Sequence, residues 1–166
     1  MSSAPDIEIR IAAGAWRSLV PGVEALVRDS AISAWRAGGG RGAVEISVLL
    51  ADDATLRRLN ARHRGHDRAT NVLSFPAAPT PAMAGPALLG DVALACETVA
   101  AEARAQGKTM ADHMRHMIVH GVLHLLGHDH EGDAAAAAME RIETEVLAGF
   151  GVADPYAPVM TVRETG

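Results

Sequence analysis

The chain reads as an α/β or α+β domain in which helices pack on a small β-sheet, and two kinds of periodicity predict it. Ile7, Ile9 and Ile11 alternate with Glu8 and Arg10, and Val44 to Leu50 alternates before closing on an apolar pair, which is the two-residue period of strands. Leu19, Val20, Val23, Leu26, Val27, Ile32 and Trp35 recur instead at helical spacing, as does the apolar run from Met117 to Leu126. Interleaving of the two periods gives a mixed class, whereas the order of strands in the sheet leaves no mark in the pattern. At 166 residues, 1–166 is expected to be one domain with one core.

The first strand carries Ile7 to Ile11, and the following helix is expected to start near Pro21, because proline suits a first turn and not a helix interior. The glycines at 38–40 and 42 make a turn. Val44–Leu50 is the second strand, and its apolar end predicts burial on both faces. Asp52 or Asp53 can cap a helix through Leu56, Leu59 and Asn60 that stops before Gly65. Thr70–Pro76 is a short β-rich run whose proline suits a strand end. Ala77–Pro86 holds three more prolines and reads as a loop. Leu88–Cys96 is the next strand and Glu97–Gln106 an alanine-rich helix stopped by Gly107. Thr109 can cap a helix running to about Leu126, and Asp133 can cap an amphipathic one containing Met139, Ile142, Val146 and Leu147. The tail from Asp154 has no period.

The chemistry concentrates in one stretch, His120-Gly-Val-Leu-His-Leu-Leu-Gly-His-Asp-His130. On a helix His120 and His124 stand one above the other, about 6 Å apart along the axis. Both imidazoles can then reach one ion. Gly127 is placed to end the helix in a left-handed cap, and the turn it starts brings His130 back as a third ligand. Three neutral imidazoles leave a fourth position open, which is the catalytic rather than the structural kind of zinc site, so one Zn²⁺ per chain is expected. The frame His-x3-His-x2-Gly-x2-His is that of the metzincin peptidases, with one departure: their base, the Glu after the first His, is here Gly121. A metal site survives that change better than peptidase activity does. A lone histidine on an apolar helix is usually a core residue, and His113 and His116, earlier on the same helix, are read that way first and as substrate contacts second.

Composition narrows the class. The net charge of −5 argues against a protein that coats nucleic acid indiscriminately, yet Arg57, Arg58, Arg62, Arg64 and Arg68 are opposed locally only by Asp67. With two Trp, two Phe and one Tyr, stacking on an aromatic platform is not expected to dominate any nucleic-acid contact. Cys96 is the one cysteine, so no internal disulfide forms, and its plain reading is a small buried hydrophobe. The beginning of the chain lacks a basic region followed by an apolar one, and no apolar run is long enough for a membrane span. A cytoplasmic protein without membrane partners is expected.

Three stretches resemble the YbeY endoribonucleases, bacterial ribosomal RNA maturation factors. His120–His130 meets the family's His-Gly-x-Leu-His-Leu-x-Gly-Tyr-Asp-His, with His128 in place of Tyr. Leu59–Pro76 meets Leu-Asn-x-x-Tyr-Arg-x-x-Asp-x-x-Thr-Asp-Val-Leu-Ser-Phe-Pro, with His63 for the Tyr and Asn71 for the second Asp. Leu89-Gly90-Asp91-Val92 meets Leu-Gly-Asp-hydrophobic. The resemblance runs from about Ala43 to Phe150. It implies a mixed sheet of about four strands with the metal helix lying across it. It also implies a single-strand-specific, metal-dependent endoribonuclease of ribosomal RNA processing, acting in 16S 3′-end maturation and ribosome quality control. The small ribosomal subunit and its assembly factors would be the partners, and DNA is not expected.

On that resemblance Arg64 is the catalytic arginine beside His120, its planar fork suited to two phosphate oxygens at once. Arg57, Arg62 and Arg68 would position the RNA backbone, and Ser74 and Asp91 would line the site. His128 either moves protons near neutral pH or fills the Tyr position as a turn residue. Asp129 either orients a ligand imidazole or caps the turn. The alternatives are a metallopeptidase-like hydrolase and a non-catalytic ribosome-assembly factor holding a structural metal.

Overall fold

The computed structural model describes residues 4–78 and 86–157. Most of the proline-rich stretch expected as a loop, and the end of the aperiodic tail, lie outside the described residues. In chain order the elements are β1 (Asp6–Ile11), α1 (Ala15–Leu19), α2 (Val23–Ala37), β2 (Val44–Ala51), α3 (Asp53–Arg64), β3 (Val72–Pro76), β4 (Ala87–Ala95), α4 (Cys96–Ala105), α5 (Met110–Leu125) and α6 (Asp133–Gly149).

The sheet is mixed, as the family resemblance implies. Its order is β1-β2-β4-β3, with β1 and β4 parallel to β2 and β3 antiparallel to β4 at the edge. Registers align Glu8, Ser47, Asp91 and Phe75 across the four strands, and beside them Ile9, Val48, Val92 and Ser74. Because successive side chains alternate between faces, the second row belongs to the opposite face from the first. That second face builds the main core, where Ile46, Val48, Leu50, Val92 and Leu94 meet Trp35, Met114, Ile118, Val122, Leu123 and Leu147. The other face meets α3 in a smaller cluster of Ala51, Leu56, Leu73, Ala93 and Ala95.

Local chemistry sets the boundaries. Asp52, not Asp53, caps α3 by accepting from the Thr55 amide at 2.8 Å. Thr109 does the same for α5 through the Asp112 amide at 3.0 Å. Asp133 is the first residue of α6 and Gly132 its N-cap, so the cap expected of Asp133 is not made. The helix expected from near Pro21 is α2, which starts at Val23, and a further short helix, α1, precedes the proline. The turn before the proline is held because buried Trp16 donates its indole N–H to the Ala51 carbonyl at 2.8 Å.

Candidate metal centre and active site

The centre of the site is the C-terminal half of α5, and its geometry follows from how that helix ends. Gly127 takes φ 96°, the left-handed conformation that glycine adopts without a Cβ penalty. The His128 amide then donates to the Leu123 carbonyl at 3.0 Å and the Gly127 amide to that of His124 at 3.0 Å, the paired bonds of a Schellman turn. The chain reverses, and His130 returns over the helix. Its ring centroid lies 4.9 Å from that of His120 and 5.4 Å from that of His124.

The three imidazoles each present one nitrogen, all within 4.8 Å of one another. Nε2 of His120 and Nε2 of His124 are 3.1 Å apart. Four nitrogens placed tetrahedrally about 2.0–2.1 Å from an ion are roughly 3.3 Å apart, so this donor pair already stands near the edge of such a polyhedron. Burial, then the neighbouring His120 and His130, push the His124 pKa down, so its ring favours the neutral form a ligand needs.

The His120 tautomer is fixed from behind. Its Nδ1 lies 2.6 Å from Oε2 of Glu143 on α6, a carboxylate with no exposed surface. Burial alone would raise the Glu143 pKa. The nearby His116 ring, 3.6 Å away, and hydrogen bonds from His120 and Tyr156 outweigh it and hold the group at about 2, fully ionised at neutral pH. An ionised carboxylate can only accept, so His120 carries its proton on Nδ1 and turns the bare lone pair of Nε2 toward the other two rings. Asp129 is not the orienting carboxylate: its Oδ1 accepts from the Glu131 amide at 3.0 Å and caps the turn. The sequence did carry a signal for Glu143, which occupies the buried stripe Met139, Glu143, Val146, Leu147 of α6. A carboxylate at such a position must be paired. Tyr156 lies past the end of α6, where no period marks it.

A cavity of about 320 Å³ opens beside the triad, lined by Arg64, Asn71, Ser74, His120 and His124 together with Val72 and Pro76. Arg64 comes from the end of α3 and reaches β3, where its Nη2 donates to the Ser74 carbonyl at 3.0 Å. The Ser74 hydroxyl donates in turn to the Gly121 carbonyl at 2.9 Å. Arginine, edge strand and metal helix are thus tied in one line. At Gly121 helix and sheet approach closely: a Cβ there would stand 2.7 Å from Cγ1 of Val92 and 3.1 Å from the Ser74 hydroxyl. The position at which the metzincin frame carries its base is filled by β4.

Other sequence candidates lie elsewhere. Asp91 belongs to the opposite face, in a separate cavity of about 320 Å³ with Glu8, Arg10, Ser47, His63 and Phe75. Burial, then Glu8, raise its pKa. His128 points away from that triad cavity, and its Nε2 lies 3.0 Å from the Gly38 carbonyl, joining the turn to the end of α2. Arg57 pairs with Asp67 at 2.7 Å on the surface, while Arg62 and Arg68 are exposed on and after α3. His113 and His116 are buried, the first with Nε2 2.9 Å from Glu102.

Fold and site together define a class: a mixed α+β protein whose central helix and following turn build a three-histidine cluster able to hold a metal ion, beside an arginine. The family model for Endoribonuclease YbeY matches residues 22–151. Endoribonuclease YbeY of Rhodospirillum rubrum is 47% identical over 176 residues, covering 97% of this chain and 88% of its own. That of Paramagnetospirillum magneticum is 50% identical over 161 residues, covering 94% and 98%. The solution structure of TM1509 from Thermotoga maritima shares the fold, with a TM-score of 0.52 and 23% identity over 91% of this chain and 99% of that one. The chain belongs to the YbeY endoribonuclease family.

Proposed function

We propose that the chain is a zinc-dependent, single-strand-specific endoribonuclease of the cytoplasm that processes ribosomal RNA on or near the small ribosomal subunit. The observation that carries this reading is the shared cavity. A guanidinium and two members of a three-histidine cluster line one concavity large enough for a phosphodiester and its flanking sugars. Family membership supplies the reaction class.

His120, His124 and His130 would hold the ion, which when bound lowers the pKa of its water towards about 7 and polarises a phosphoryl oxygen. Arg64 offers its fork to the phosphate oxygens, with the Ser74 carbonyl fixing one arm. Ser74 acts through the backbone, since its hydroxyl is committed to Gly121. Arg62 and Arg68, and Arg57 with its partner Asp67, lie on the α3 side and suit phosphates further along the strand. A peptidase reading is disfavoured by Gly121, because the space a base would need is occupied by Val92.

The test is elemental analysis of the purified protein together with cleavage of a structured small-subunit RNA fragment. About one zinc per chain is expected, and His124→Ala should lose both metal and cutting. Undiminished cutting by that variant after chelation would refute the assignment.

A further inference from the structure

Behind the metal cluster, the segment that follows α6 folds back onto α5, and each of its contacts leads to the next. The Phe150 amide donates to the Leu147 carbonyl at 3.0 Å and the Val152 amide to the same carbonyl at 2.9 Å, which turns the chain at the end of α6. Phe150 lies under the Arg115 guanidinium of α5, 4.1 Å from ring centroid to the central carbon. Asp154 then pins the segment, because its Oδ1 accepts from the Thr144 hydroxyl of α6 at 3.2 Å and from the Tyr156 amide at 2.8 Å. These contacts deliver the Tyr156 hydroxyl to Oε1 of Glu143, the oxygen that His120 does not use.

We infer that Tyr156 is a positioning residue for the metal centre, acting through Glu143 on His120. This inference rests on the reading that the triad holds an ion. A phenol has one proton to give, and a carboxylate is a stronger acceptor than an imidazole nitrogen, such as the Nε2 of His116 that stands 3.3 Å from the same oxygen. The hydroxyl therefore donates to Glu143 and accepts from His116. Held at both oxygens, the carboxylate cannot swing about its terminal bond, and the His120 ring is held in the plane that aims Nε2 at the other ligands. The His116 ring stands edge-on to the tyrosine at 5.6 Å and to His120 at 6.3 Å, and closes the space on that side. Residues that orient a metal-ligating histidine change metal affinity by about 10–100-fold when lost.

Tyr156→Phe keeps the ring and removes the hydroxyl, and at 41% exposure the residue is not a core element on which folding depends. Zinc(II) affinity of the full chain is measured by competition with a chromophoric chelator, and the thermal midpoint is recorded with and without zinc. The dissociation constant should rise about 3–10-fold in Tyr156→Phe, in the same direction but less in Asp154→Ala, and by about 10–100-fold in Glu143→Gln. Added to Glu143→Gln, Tyr156→Phe should change nothing further, because its route is gone. The zinc-induced rise in midpoint should shrink in Tyr156→Phe. Unchanged zinc affinity in Tyr156→Phe, with midpoints lowered equally in apo and loaded protein, would assign the tyrosine to folding alone and overturn the inference. Wild-type protein that binds no zinc would remove the metal reading along with it.

Discussion

A glycine in the interior of a helix is ordinarily worth replacing: alanine gains about 0.8–1.0 kcal/mol in helix propensity. Gly121 should behave in the opposite way. Its Cβ would lie 2.7 Å and 3.2 Å from the two γ-carbons of Val92, a fully buried residue of β4. Valine cannot yield easily, because its branched side chain has few allowed rotamers and the surrounding core is close-packed. Overpacking of this kind costs about 1–3 kcal/mol, so after the propensity gain Gly121→Ala should be destabilised by up to about 2 kcal/mol. For a chain of this length that is a fall in thermal midpoint of up to roughly 4–8 °C. Gly149, the last residue of α6, has nothing within 4 Å of its Cβ position and is the internal control. Gly149→Ala should be neutral or stabilising by up to about 1 kcal/mol. Chemical denaturation of both variants decides the sign, and Val92→Ala placed in the Gly121→Ala background should recover part of the loss through a coupling of at least about 0.5 kcal/mol. Gly121→Ala more stable than the parent by the full propensity gain of about 0.8–1.0 kcal/mol, or strict additivity with Val92→Ala, would refute the argument that β4 excludes a side chain there.

Arg64→Ala should retain its metal and its thermal midpoint while losing most nuclease turnover, and Arg64→Lys should recover little, because a point charge cannot replace the fork; full activity in both would remove Arg64 from the reaction. RNA with hydrogen in place of the 2′-hydroxyl at the cleaved nucleotide should be cut more slowly but still cut. Complete loss of cleavage with binding intact, and a 2′,3′-cyclic phosphate on the natural product, would show internal attack instead of hydrolysis. Asp52→Ala should cost about 1 kcal/mol at pH 7 through loss of the α3 cap. Hydrogen bonding to Thr55 holds the Asp52 carboxyl below its ordinary value, so its contribution is complete above about pH 3.9 and disappears as the pH falls through the folded pKa. Urea midpoints of parent and variant should therefore differ at pH 7 and converge near pH 2; a gap that persists in acid would contradict the cap assignment.

Much of the fold was legible because each element announces itself locally. Ile7-Glu8-Ile9-Arg10-Ile11 can alternate only as a strand with one wet face, and Thr109 or Gly127 acts within a few residues of its own position. The three-histidine cluster was legible for the same reason, since helix period and one left-handed glycine bring His120, His124 and His130 together. What the sequence hid depends on partners far along the chain. Strand order β1-β2-β4-β3 is chosen by which apolar faces cover one another, and no window of sequence holds both faces. Trp16 holds α1 through Ala51, 35 residues away, so the helix start expected near Pro21 missed a turn. Asp91 looked like a site residue because its tag is continuous, but strand alternation sends it to the face opposite Val92 and Ser74, away from the triad. Glu143 and Tyr156 were missed because the orienter was sought beside the ligands in sequence, at Asp129, when a neighbouring helix provides it.

Gly121 and Glu143 together limit what the site can do with a proton. Gly121 offers no base and has no room for one. Glu143 is ionised but stands behind His120, with one oxygen taken by Nδ1 and the other by Tyr156, and neither is among the groups that line the cavity. Among the described residues that do line it, the polar side chains are a guanidinium, two imidazoles, the Asn71 amide and the Ser74 hydroxyl. The amide is engaged by Glu102 and the Val72 N–H, and the hydroxyl by Gly121. A neutral peptide entering such a site would have to find its proton acceptor on the protein, where no carboxylate among the described residues lines the cavity. A phosphodiester brings anionic oxygens of its own, which can take a proton from the attacking group, and on the proposed reading Arg64 would balance the charge that remains. The same absence that makes the cavity poor for amide hydrolysis makes it electrostatically open to an anion, since a carboxylate placed there as base would repel the phosphate it was meant to serve.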